Sequence, residues 1–166
     1  FDFLGGMFLS VFRRENWIRN INVLDNTAIL DGRTFSHFDN TFPHIKIFSR
    51  AFADSIAYFN VNPLCVCLTG AREWAPMYPF VHSVRLVEAL TEYRKNGLPL
   101  IKYLRCKNYA LKKFIPHFAM MLLDRNNSGF AYIKPFRLIL RNCIYPNFYL
   151  SVVYYFLFKL KLIDEN

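Results

Sequence analysis

The stretch at residues 93–118 restricts the fold most. Asn96-Gly97 stands between two apolar-rich segments and can supply the positive φ values of a tight hairpin turn, so the segment that follows, up to Cys106, is predicted as a strand. The same signal pulls residues 83–93 toward strand. Beyond Cys106 the period changes. Leu111, Phe114, Ile115, Phe118 and Leu122 recur at the three-and-four spacing of one helical face, which predicts a helix beginning near Lys107 or Asn108. Pro116 lacks an amide donor and clashes with the carbonyl of Lys112, so this helix is expected to bend or restart within a turn of it.

Charge is concentrated in the same place. Residues 93–123 contain seven Lys or Arg and no Asp or Glu. The chain as a whole carries +9, but residues 1–93 hold 8 basic and 9 acidic side chains whereas residues 94–166 hold 13 and 3, giving −1 and +10. A polyanion is expected to meet the second half. Tyr93, Tyr103 and Tyr109 lie among the cations, as on a surface where bases stack.

At 166 residues, 54% of them apolar, the chain can bury a core without metal or disulfides. Eighteen Phe and ten Tyr against six Gly, with many Asn, Ile and Lys, suggest A+T-rich codons of the kind found in organelle genomes. Cys65, Cys67, Cys106 and Cys143 form no zinc-type spacing and read as buried thiols in a reducing compartment. Residues 1–12 are apolar but precede Arg13-Arg14, the reverse of a signal peptide, and read as a packed end. No run of eighteen uncharged apolar residues exists. The nearest approach, residues 148–158, reads as a helix packed on a sheet.

In chain order, a helix is expected at about residues 8–21, then an irregular connection through residues 22–40. Phe42-Pro43-His44-Ile45-Lys46-Ile47-Phe48 alternates and reads as a proline-led strand. Residues 49–60 read as a short helix or turn, Leu64-Cys65-Val66-Cys67-Leu68 as a strand or helix end, and residues 71–82 as an extended loop. Phe130-Ala131-Tyr132-Ile133 and Phe136-Arg137-Leu138-Ile139-Leu140-Arg141 read as extended runs parted by Lys134-Pro135. Pro146-Asn147 opens a final helix that buries Leu150, Val153, Tyr154 and Leu157. The expected fold is α+β, an antiparallel sheet with helices packed on one face. An N-terminal helix and irregular extension would occupy residues 1–41, and a single α+β RNA-binding domain residues 42–166.

No enzyme motif is present: His37, His44, His82 and His117 sit apart, and there is no phosphate loop or nucleophile elbow. No cofactor is expected. Phe42-Pro43-His44-Ile45-Lys46-Ile47, Leu68-Thr69-Gly70, Gly97-Leu98-Pro99-Leu100 and Leu104-Arg105, followed by a helix bearing Tyr109 and Phe114, occur in an order that resembles large-subunit ribosomal protein five in a divergent mitochondrial form. Ala71-Arg72-Glu73 stands where that family has Gln-Lys-Pro after the Thr-Gly turn.

The resemblance implies a structural component of the mitochondrial large ribosomal subunit. It would sit in the central protuberance, binding large-subunit rRNA and 5S rRNA or its replacement, beside neighbouring ribosomal proteins. A long loop carrying Arg72 and Trp74 would face the peptidyl-site tRNA, and small-subunit protein thirteen would lie across an intersubunit bridge. Lys46 and Arg50 are the motif-supported RNA contacts. Lys102, Arg105, Lys107, Lys112 and Lys113 follow from charge alone, as cations that neutralise phosphates. The competing expectation is a peripheral or membrane-embedded accessory subunit of an organellar respiratory complex, its C-terminal aromatic segment in lipid and Lys159 and Lys161 at the interface.

Overall fold

In the computed structural model, which describes residues 11–56 and 74–160, every regular element is a helix. The expected antiparallel sheet is therefore corrected: the described chain is all-helical. The helices are α1 (Arg14–Asn20), α2 (Asn26–Ile29), α3 (Phe38–Thr41), α4 (Pro43–Ala51), α5 (Tyr78–Phe80), α6 (Leu86–Lys95), α7 (Leu100–Ala110), α8 (Phe114–Leu123), α9 (Pro135–Asn142) and α10 (Pro146–Lys159).

Each overturned strand has a local cause. Asn96-Gly97 is a helix stop and not a hairpin: Gly97 takes φ +107°, and the amides of Leu98 and Gly97 turn back to the carbonyls of Tyr93 and Arg94. That pair of bonds closes the last turn of α6, a task that needs positive φ as much as a hairpin does. Residues 83–93 are accordingly helical, and α7 starts at Leu100, straight after Pro99. The proline-led segments behave alike. Pro43 and Pro135 are the first residues of α4 and α9, where the missing amide is one the helix would leave unpaired anyway. In α4 the alternation that suggested a strand reflects a helix buried on several sides, through His44, Ile45, Ile47 and Ser49. Phe130–Tyr132 forms a single 3₁₀ turn.

Proline placement elsewhere matches the reading of the sequence. Pro146 opens α10, and the helical run breaks into a 3₁₀ turn at Leu111–Lys113 before restarting at Phe114, two residues ahead of Pro116. The amide of Ile115, one of those a helix start leaves open, donates to Ser151 Oγ at 3.3 Å, and the Ser151 hydroxyl donates to the Phe148 carbonyl at 2.6 Å. This fully buried serine sits on the inner side of α10 with Phe148, while Leu150 and Val153, expected to be buried, are exposed.

Two apolar clusters hold the helices together. The first joins α4, α5, α6 and α8 through Phe42, Ile45, Phe80, Val84, Ala89 and Met121. The second joins the Leu111 turn, α8 and α10 through Leu111, Phe114, Tyr145 and Phe148. Phe118 and Leu138 touch both, so the two clusters are continuous. Helix α1 and the residues before it add an aromatic group in which the Phe12 ring lies 5.6 Å from Trp17 and 4.8 Å from Phe48.

Between α5 and α6 the helix widens into a π turn over Val81–Arg85, which turns Ser83, Val84 and Arg85 inward together. Phe80, beside it, packs under Gly129. Gly129 has φ +74°, and a Cβ there would stand 2.9 Å from the Phe80 ring, so this turn requires glycine.

Candidate nucleic-acid interface

Once residues 100–113 are helical, their cations fall into a pattern that a strand would have hidden. Lys102, Arg105, Tyr109 and Lys112 are spaced three, four and three apart and share one stripe running from α7 into the Leu111–Lys113 turn. All four are exposed. The Lys112 ammonium lies 4.5 Å from the centre of the Tyr109 ring, and the ring itself is 53% exposed. Lys113, half-buried, sits beside the stripe. Among the described residues, no carboxylate lies within ion-pair distance of any of these cations. Such a surface can neutralise consecutive phosphates and offer one ring for a base to stack on.

The remaining expected contacts divide differently. Arg50 is exposed in the last turn of α4. Lys46 is engaged: its Nζ lies 2.7 Å from Asp39 Oδ2, and that buried carboxylate also accepts the Asp25 amide at 2.7 Å. Lys107 points inward. It is 5% exposed, its ammonium sits 4.7 Å from the Tyr145 ring centre, and burial, with Arg141 nearby, lowers its pKa. At 100° per residue it faces nearly opposite to Arg105, so it holds α7 to the α9–α10 turn while the stripe looks outward.

Trp74 packs edge-on against Phe35 at 5.6 Å and stacks with Tyr78 at 6.5 Å, in a half-buried position that anchors the start of α5. Arg72, the other member of the expected tRNA-facing loop, lies outside the described residues, as do Cys65, Cys67 and the Leu68-Thr69-Gly70 motif. Of the three tyrosines named among the cations, Tyr109 alone lies on the stripe. Tyr93 packs against the first apolar cluster, and Tyr103 is half-buried.

Two other polar groups lie apart from the stripe. Asp31 gathers Arg33 at 2.8 Å, His37 at 3.2 Å and the Ser36 hydroxyl at 2.8 Å beside a shallow recess of about 240 Å³. The hydrogen bond from Arg33 is the main cause holding its carboxyl far below the usual range, and the groups satisfy one another. Ser83 Oγ lies 2.8 Å from His117 Nδ1, but the serine is only 1% exposed and its hydroxyl is sealed in the core. No group of three or more His, Cys, Asp or Glu capable of holding a metal occurs among the described residues.

No family model, curated protein or solved structure matches the chain.

Proposed function

We propose that this chain is a non-catalytic subunit of an organellar ribonucleoprotein, the mitochondrial large ribosomal subunit, with the α7–α8 stripe lying on rRNA. The observation that carries the proposal is the exposed stripe Lys102, Arg105, Tyr109 and Lys112 in a segment, residues 94–160, that holds twelve basic side chains and one acidic one. Excess charge keeps a lone domain soluble, but a run of cations with no acidic partner is also what a polyphosphate selects, because it releases counterions when it binds. A second support is the apolar surface of α10. Tyr149, Leu150, Val153 and Phe156 are each more than half exposed, as expected where neighbouring proteins cover them.

The motif resemblance supports the proposal less than the charge does, because the family's sheet has no counterpart among the described residues and its strand motifs fall on helices. The central-protuberance placement, with its tRNA and small-subunit protein thirteen contacts, depends on that sheet and on the loop around Arg72. The membrane-embedded reading meets a length limit. Helix α10, with 14 residues, spans roughly 21 Å against the ~30 Å of a bilayer core, and no helix among the described residues is long and apolar enough to cross a membrane.

Sedimentation of an organellar extract in magnesium tests the assembly. The chain is expected to travel with the large ribosomal subunit and to leave it after ribonuclease treatment. Migration that ignores ribonuclease and follows a detergent-solubilised complex would overturn the proposal.

A further inference from the structure

Helix α9 presents a surface that rRNA does not account for. Its inner side, Leu138, Ile139 and Cys143, packs on the second apolar cluster, and Asn142 is 1% exposed. On the outer side Phe136 and Leu140, four residues apart, are 74% and 53% exposed, and Ile144, 75% exposed, stands in the turn just past the helix end at Asn142. Arg137 and Arg141 form the adjoining row, also exposed, and Lys134 stands exposed just before the helix. The exposed face thus has an apolar row and a cationic row side by side. No Asp or Glu occurs from Arg125 to Ile163, so the charge of this face has no counterpart in its own stretch of chain.

We propose that α9, with the residues flanking it, docks in the plane of an anionic lipid surface, with Phe136, Leu140 and Ile144 entering the acyl boundary and Lys134, Arg137 and Arg141 meeting headgroup phosphates. The two rows select this partner together. Phosphates of a nucleic acid would satisfy the arginines, and a base could stack on Phe136, but Leu140 and Ile144 offer nothing to a sugar-phosphate backbone. An interfacial helix needs both rows at once: apolar side chains to bury and cations whose stems lie along the boundary while their heads reach the phosphates. The face is separate from the α7–α8 stripe. Lys107, on the inner side of α7, is the residue that neighbours Arg141, and Lys102, Arg105 and Tyr109 lie nearly opposite it on that helix.

The test is co-sedimentation of the purified full chain with vesicles of phosphatidylcholine, with and without phosphatidylglycerol. Binding is expected only to the anionic vesicles and to weaken with salt. Arg137→Gln with Arg141→Gln should lower the partition coefficient about 30-fold, since each cation near an anionic surface contributes about fivefold. Phe136→Ser with Leu140→Ser should lower it at least tenfold. Both side chains of that second variant are mostly exposed, so its circular dichroism should match that of the parent. Glutamate at Lys102, Arg105 and Lys112 should leave vesicle binding within about twofold, which keeps this test separate from the rRNA proposal. Equal binding to neutral and anionic vesicles, no binding to either, or insensitivity to the α9 variants would overturn the inference. So would α9 variants that weaken binding to RNA while leaving vesicle binding intact, or retention by an acidic protein partner with no lipid binding.

Discussion

Replacing Arg85 with alanine is expected to destabilise the protein by about 3–5 kcal/mol, read as a lower urea midpoint with an unchanged slope. Arg85 is 6% exposed and reaches inward from the π turn. Its guanidinium donates to the Phe35 carbonyl at 3.2 and 3.0 Å, to the Ser36 carbonyl at 2.5 Å and to Glu88 at 2.6 Å, and it lies 4.7 Å from the Phe80 ring centre. Phe35 has φ +57°, an uncommon conformation for a residue with a side chain, so the loop it belongs to is held by these bonds more than by its own preference. Alanine would leave two carbonyls and a carboxylate without their donor. Arg85→Lys keeps the charge but cannot reach three acceptors as a planar fork does, and it should recover less than half of the loss. A change below about 1 kcal/mol for the alanine variant would mean that the loop is held by other contacts.

Acid should weaken the fold through His117. Burial first, then the neighbouring charges of His82 and Lys113, depress its pKa from 6.5 to about 4. The unfolded chain therefore binds a proton that the folded chain refuses between these values, and stability falls as pH drops from about 6.5 to about 4, then levels as far as this group is concerned. The linked loss is about 3 kcal/mol at the acid end. The buried ring faces Ser83 Oγ at 2.8 Å, with the His82 ring centre 5.9 Å away. Urea unfolding of the parent and of His117→Gln at pH 7 and pH 4 isolates the contribution, because the carboxylates common to both cancel. The parent should lose more stability than the variant, and equal losses would contradict the account.

What could be read in the sequence followed from chain-breaking residues more than from periodicity. Pro146 and Pro116 mark real helix starts because proline's missing amide has the same consequence in any context. The type of element was less legible. Asn96-Gly97 supplies positive φ to a hairpin or to a helix end without distinction, and Pro43 and Pro135 can open a strand or a helix. Ser151 carries no hydrophobic signal, although it is the residue that lets α10 close on the start of α8, so apolar spacing alone does not locate the buried side of that helix.

The candidate interface shows the same division. The cations of residues 94–113 are evident from charge. Their arrangement as a stripe requires knowing that the segment is helical, and the removal of Lys46 and Lys107 from it requires knowing that Asp39 and Tyr145 stand beside them.

The most direct measurement is the salt dependence of RNA binding by the purified chain, followed by fluorescence anisotropy with a structured rRNA fragment. Contacts from Lys102, Arg105, Lys112 and Lys113 to four phosphates predict a slope of about −3 in log affinity against log salt, or roughly a 60-fold loss between about 50 and 200 mM. The variant with glutamate at Lys102, Arg105 and Lys112 should bind far more weakly and with a nearly flat dependence. A parent slope near zero, or a variant that binds as the parent does, would contradict the claim that this stripe is where RNA lies.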